Sequence, residues 1–312
     1  MGEIFAILAL FLFSANIIVT NIGSKKMDLN YGFLISVFVN VVFSFFLFGI
    51  HLFFFRTESL QWDNLGFILF LLGGFFSTYL GRFLFFTSII KLGPAKASSF
   101  QVSNPLFTFI IAWMFLDEKL GLFDLVCIIF ILIGLSLVNY KPKSFNSIDE
   151  TAATYDKQLS KKRVFPSKLF RSSITVALLS GISYAIGNVL RGAGVSEWNE
   201  PILGAFIGAC IGVVSHVVLN PQTRKVVKKK AAFKRNGALY FVLSGIFTII
   251  GQCLLIGSMF YIPVSIANLI TLSTPVIVTP ISYFFLKNQE GITKITVIGI
   301  ITVLLGISLI LL

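Results

Sequence analysis

The chain carries little charge. Only 12% of its 312 residues are Asp, Glu, Lys or Arg, where a soluble domain has about a quarter. Apolar residues make up 56%, and Phe alone fills 35 positions. One chain of this length cannot hide that much apolar surface from water, which excludes a soluble globular domain and makes lipid the solvent. Cysteine is scarce too. Cys127, Cys210 and Cys253 each fall inside an apolar run. Their odd number and spacing exclude a disulfide framework and a cysteine metal centre. Enzyme signatures are missing: there is no GxxxxGK[ST] loop, no HExxH and no intramembrane acid pair. No enzymatic activity, cofactor or nucleic-acid partner is therefore expected. A basic leader is also lacking, since Met1-Gly2-Glu3 runs straight into apolar sequence, so no cleaved signal peptide is expected. Ala6 stands where N-myristoylation needs Ser or Thr.

What is present is a repeated apolar unit. The stretch LGPAKASSFQVSNPLFTFIIAWMFLDE, from Leu92 to Glu118, returns as YIPVSIANLITLSTPVIVTPISYFFLKNQE, from Tyr261 to Glu290. Aligning Pro105 with Pro275 gives an offset of 170, which pairs Ser98 with Asn268, Ala97 with Ala267 and Gln101 with Thr271. Beyond that helix the offset is 172, pairing Glu118 with Glu290 and Gly134 with Gly306. Ten runs are long enough for the ~20 residues that a membrane helix needs: 3–22, 32–55, 65–90, 94–116, 121–140, 172–190, 202–219, 237–260, 263–286 and 293–311. Ser14-Ala15-Asn16 and Ile186-Gly187-Asn188 correspond loosely as well. The expected fold is all-α: ten transmembrane helices as two inverted five-helix repeats around a central cavity. The repeats are 1–140 and 172–312, joined by a basic flexible linker, 141–171. Because five is odd, the second copy enters the membrane from the opposite side, which is the arrangement behind alternating access.

Charge sets the orientation. Of the 25 basic residues, 21 lie in connections after the odd-numbered runs and three, Arg56, Lys119 and Arg191, in the even ones. Positive residues stay cytoplasmic, so the linker is expected inside a plasma (cell inner) membrane and both termini outside. The run KVVKKKAAFKR reads as a topology anchor or as a site for anionic lipid. Gly204, Gly208 and Gly212, four apart, mark a close helix interface. Pro105, Pro275 and Pro280 each remove a backbone donor in mid-helix, which makes them candidate hinges and their helices candidate cavity walls.

All 13 acids fall in connections or at helix ends. Proton-coupled efflux of lipophilic cations needs an intramembrane carboxylate, so an anionic or zwitterionic cargo is expected. The charge well inside a span is Arg82. It either snorkels towards Lys91, about 13 Å along the helix, or holds a substrate carboxylate or phosphate through its bidentate fork. Ser98 and Gln101 share a face with Pro105, and Asn268 and Thr271 share one with Pro275, at helical spacing. Tyr79 with Arg82, Tyr184 with Asn188, and Asn16 and Asn104 complete the candidate substrate-binding set. His216 reads as an interfacial or hydrogen-bonded histidine, with a proton-relay role as the rival.

The two blocks, each a proline helix ending in Glu118 or Glu290 and followed by a helix with Gly134 or Gly306, resemble the EamA-type family of the drug/metabolite transporter superfamily. The resemblance covers nearly the whole chain apart from the linker. It implies ten helices in two inverted halves, a central cavity and export of small metabolites, amino acids being a common cargo. Relatives usually have both ends in the cytoplasm, opposite to the orientation the charges give here. The expected function is a secondary transporter of a small polar metabolite, an amino-acid-like compound or an organic anion or zwitterion. The expected partners are that substrate and membrane lipid, with a proton as an unproven coupling ion. The alternative is a flippase for lipid-linked headgroups or phospholipid, with Arg82 taking the phosphate.

Overall fold

A computed structural model describes residues 1–24, 26–27, 29–56, 60–92, 103–118, 121–138, 173–219, 235–285 and 293–310. Linker 141–171, Ser98, Gln101 and Glu290 lie outside the described residues, as does most of the 224–235 basic run.

The apolar runs form helices and, among the described residues, there is no strand. In chain order they are α1 (Gly2–Ser24), α2 (Leu29–Ile50), α3 (Asn64–Gly74), α4 (Arg82–Leu92), α5 (Ser103–Phe115), α6 (Leu122–Val138), α7 (Ser173–Glu197), α8 (Pro201–Leu219), α9 (Arg235–Met259), α10 (Val264–Leu272), α11 (Thr274–Phe285) and α12 (Lys294–Ile310). A π-helical stretch, Phe75–Gly81, joins α3 to α4. Another, His51–Phe55, extends α2. Six of the described helices are long and apolar enough to cross a bilayer, and four more apolar helices are shorter. Large apolar side chains point outward along them: Phe53 is 86% exposed, and Phe45, Phe46, Trp113 and Phe115 are all exposed. Such a surface suits acyl chains and not water. The chain is an all-helical, multi-pass membrane protein.

Helices far apart in sequence pack together. α1 lies on α9, and α3, α4 and their π joint lie on α7. α2 packs on α8 and α9, α3 on α8, α5 on α7 and α10, and α1 on α10 and α11. α6 pairs with α12. The glycines singled out by the sequence make these approaches possible. A Cβ on Gly134 would sit 2.7 Å from Val303 and 2.8 Å from the Gly299 carbonyl, and one on Gly306 would sit 2.5 Å from Ile131. The repeated Gly pair therefore forms one seam, α6 against α12. Gly204, Gly208 and Gly212 meet Phe70, Gly74 and Thr78 in turn, which lays α8 along α3 and its π joint.

One reading of the proline helices changes. α10 and α11 are separate helices broken at Ser273 (φ −72°, ψ 17°), and Pro275 is the second residue of α11. In a first turn its missing N–H has no intrahelical acceptor to lose, so Pro275 starts a helix and does not interrupt one. Pro105 lies in α5, whose described part begins at Ser103. Pro280 does lie inside its helix, α11.

Side chains from the connections cross-link one end of the bundle. Arg56 pairs with Glu200 at 2.5 Å. Trp198 donates its indole N–H to the Gln61 carbonyl at 3.0 Å and meets the Trp62 ring edge-on. Glu118, just past the left-handed Asp117 (φ 50°), accepts from the backbone N–H of Val264 at 2.5 Å and from the Ser265 hydroxyl at 2.5 Å. It thereby caps α10 across the bundle, satisfying donors that a helix N-terminus leaves open. Val264 abuts Gly192 near the end of α7, which puts these ties on one side.

Candidate functional site

The seam between α7 and the α3–π–α4 helix holds the charged groups. Gly73-Gly74 and Gly187 allow backbone contact there: a Cβ on Gly187 would lie 2.7 Å from the Ser77 nitrogen. The Ser180 hydroxyl donates to the Gly81 carbonyl at 2.9 Å. The Tyr184 ring lies where a Cβ on Gly81 would be 3.0 Å away. One residue later Arg82 begins α4, half-buried, with its guanidinium 4.8 Å from the centre of the Phe33 ring. This is a cation–π contact, worth more when desolvated. Arg82 makes no hydrogen bond or ion pair to a described residue.

A second arginine stands two turns along the same seam. Arg191 was expected in a connection. It lies inside α7, 3% exposed, so Arg82 is not the sole charge within a span. The apolar run stops at 190, but the small residues Gly192-Ala193-Gly194 carry the helix on to Glu197. Arg191 donates to the Thr78 hydroxyl of the π stretch at 2.9 Å and to the Gln252 amide oxygen of α9. Its Nε is buried without an acceptor. A Cβ on Gly208 would come within 3.1 Å of the guanidinium, so that glycine makes its seat.

The asparagines divide between two places. Asn188 donates to Asn268 at 2.7 Å, and Asn268 donates to Thr108 at 2.8 Å and to Asn104 at 3.3 Å. This ladder is buried and ties α7, α10 and α5 together. Asn16 stands elsewhere. Its amide oxygen accepts from Ser244 at 2.6 Å and from Thr20 at 3.2 Å, between α1 and α9. The Thr271 hydroxyl is taken by the Ala267 and Asn268 carbonyls of its own helix. Tyr79 stacks on Phe83 and meets His216 edge-on at 5.0 Å. His216 was expected at an interface or hydrogen-bonded. It is buried between Tyr79 and Phe33, with the Thr78 backbone near but neither ring nitrogen in hydrogen-bonding geometry.

The chain matches the EamA-like transporter family over residues 1–140 and 171–312. It belongs to that family. This EamA protein is thus a membrane transporter of the drug/metabolite type. A solved crystal structure, described only as that of a protein, superposes on it with a TM-score of 0.68 at 13% identity, covering 99% of this chain and 96% of its own. That likeness speaks for the fold alone. No curated protein sequence matches the EamA chain.

One sequence signal could have found the Arg191 seat. At the offset of 170, Gly81-Arg82 and Ser88 align with Gly251-Gln252 and Ser258, and Thr78 aligns with Thr248. Thr78 and Gln252 are the two residues that hold Arg191.

Proposed function

We propose that this EamA transporter is a secondary transporter that exports a small polar metabolite, an organic anion or an amino-acid-like compound, by rocking two inverted five-helix repeats around a central cavity. The repeats are 1–140 and 172–312, joined by the linker 141–171. The packing pattern carries this reading. Exchanging the two halves turns the α1–α9 contact into that of α7 with α3–α4, α2–α9 into α8–α3, and α1 with α10–α11 into α7–α5. The pairs α2–α8, α5–α10 and α6–α12 map onto themselves. Two halves related in this way can trade conformations, which is what alternating access requires.

The end tied by Arg56–Glu200, Trp62–Trp198 and Glu118 is the outer gate, closed in this conformation, and the basic connections face the cytoplasm. Both termini then lie outside. Arg82, Tyr79, Tyr184, Ser98 and Gln101 select cargo together with the Asn104–Asn188–Asn268 ladder. Asn16 and Thr271 serve packing in this state, and Thr271 becomes free to reach cargo when α10 moves. The break at Ser273, with Pro275 and Pro280 beyond it and Pro105 opposite, is the hinge. Flux is driven by the cargo gradient or an ion gradient.

The test is counterflow in proteoliposomes loaded with a mixed pool of radiolabelled amino acids and organic acids. The parent protein accumulates a subset of the pool, and Arg82→Ala abolishes that accumulation. Unchanged flux in Arg82→Ala would remove Arg82 from the site, and no flux from any pool would reject the reading. An accessibility tag at either terminus checks the orientation.

A further inference from the structure

Resting on the transport reading above, we infer that the cargo carries two negative charges and binds between the Arg82 and Arg191 guanidiniums, with the Tyr184 hydroxyl donating between them. The seam fixes the three groups relative to one another. Tyr184 and Arg191 are seven residues apart on α7, hence on one face and about 10 Å apart along the axis. Gly81, against the Tyr184 ring, immediately precedes Arg82. Arg191 donates to the Thr78 hydroxyl at 2.9 Å, and Thr78 lies four residues before Arg82 on the same helix.

Among the described residues the site offers donors and no anionic acceptor. Arg191 spends two nitrogens on the neutral acceptors Gln252 and Thr78, and its Nε has none. Arg82, among the described residues, has the Phe33 ring as its neighbour and makes no hydrogen bond, and the Tyr184 hydroxyl makes none either. Among the described residues the side-chain ion pair is Arg56–Glu200, at the sealed end. Two cations inside a membrane bundle without a counter-charge are costly, and such residues mark substrate pathways. A monovalent acid would neutralise one of them. A zwitterion would bring a third cation to the pair. A dianion neutralises both, and a forked guanidinium at each end suits two carboxylates, or the oxygens of a phosphate. The preponderance of basic residues in the odd connections would concentrate the same class of ion at the cytoplasmic face.

The experiment is a thermal-shift titration of the purified full chain. The probes are succinate and inorganic phosphate, against acetate and glycine, at matched ionic strength. The expected result is a rise in melting temperature with the dianions alone, since a ligand that binds the folded state stabilises it. Arg82→Gln and Arg191→Gln each weaken the apparent affinity for the stabilising dianion about ten-fold or more. Arg191→Lys, which keeps the charge and loses the fork, falls between. Should Arg191→Gln not elute as a single species, the half-buried Arg82→Gln and the charge-preserving Arg191→Lys carry the comparison. Equal stabilisation by acetate or glycine overturns the inference. So does an absence of stabilisation by either dianion, or parent-like affinity in both Arg82→Gln and Arg191→Lys. Counterflow with the same ions separates this inference from the one beneath it. Flux without preference for dianions sinks the charge assignment and leaves transport standing. Dianion binding with no flux of any solute does the reverse.

Discussion

Arg191 donates a guanidinium N–H to Gln252, and Gln252 aligns with Arg82 at the sequence offset of 170. Each follows a glycine, Gly251 or Gly81, and each precedes a serine, Ser258 or Ser88, by six residues. One residue of the aligned pair is thus a cation, and the other is the neutral acceptor that aims the second cation.

Gln252→Glu separates stability from function. A carboxylate there gives Arg191 an internal partner, so the fold loses nothing and its melting temperature holds or rises. The site then carries one net positive charge less. Counterflow flux is expected to fall by about ten-fold or more, as for loss of a charge-assisted contact. A variant with intact flux would show that Arg191 is already neutralised by something other than cargo.

Gly134→Ala places a methyl group against backbone, 2.8 Å from the Gly299 carbonyl and 2.8 Å from the Val303 nitrogen. Backbone cannot step aside as a side chain can, so the α6–α12 seam must open. The expected cost is about 1–3 kcal/mol, as for overpacking generally, read from unfolding of the detergent-solubilised protein. Gly49→Ala, with nothing within 4 Å of the added carbon, is the matched control and is expected to be neutral.

Glu118→Ala removes the cap on α10 and leaves the Val264 N–H and the Ser265 hydroxyl without their acceptor. The loss is about 1–3 kcal/mol, between a lost cap and a lost charged acceptor. Glu118→Gln keeps an amide oxygen and should recover part of it. Both are measured by thermal unfolding. Equal stability of all three proteins would contradict a capping role.

Arg56 and Glu200 should couple more strongly than an exposed pair. Their side chains are 16% and 10% exposed, so a double-mutant cycle with Ala at each position is expected to exceed the ~1 kcal/mol ceiling typical of surface bridges. High salt should reduce the coupling only slightly. Either single variant loosens the sealed end, and flux limited by its opening should rise.

Helical spans and interface glycines were legible in the sequence because each leaves a local mark: hydropathy, and small residues four apart. Glu118 and Gly134 stood out as repeated residues, but their tasks, capping α10 and seating Val303, lie across the bundle and have no local mark. Arg191 was obscured for a related reason. Hydropathy drops where glycine, serine and charge gather, so the apolar run ends at 190 although neighbouring helices bury the next turns. Asn104 and Asn268 were legible as polar groups on proline-bearing stretches. That both join Asn188, while Asn16 goes to Ser244, follows from which helices touch, which no periodicity encodes.

The π stretch at Phe75–Gly81 has a final consequence. Such a turn is an α-helix with one surplus residue, and everything downstream is rotated by about 100° relative to an uninterrupted helix. Arg82 is the first residue past it. Its bearing towards Phe33 and Tyr184 is therefore set by chain length upstream as much as by its own side chain. Deleting a single residue from the stretch, Leu80 for instance, would regularise the helix and swing the guanidinium round to another neighbour, silencing transport in a protein that still folds and inserts.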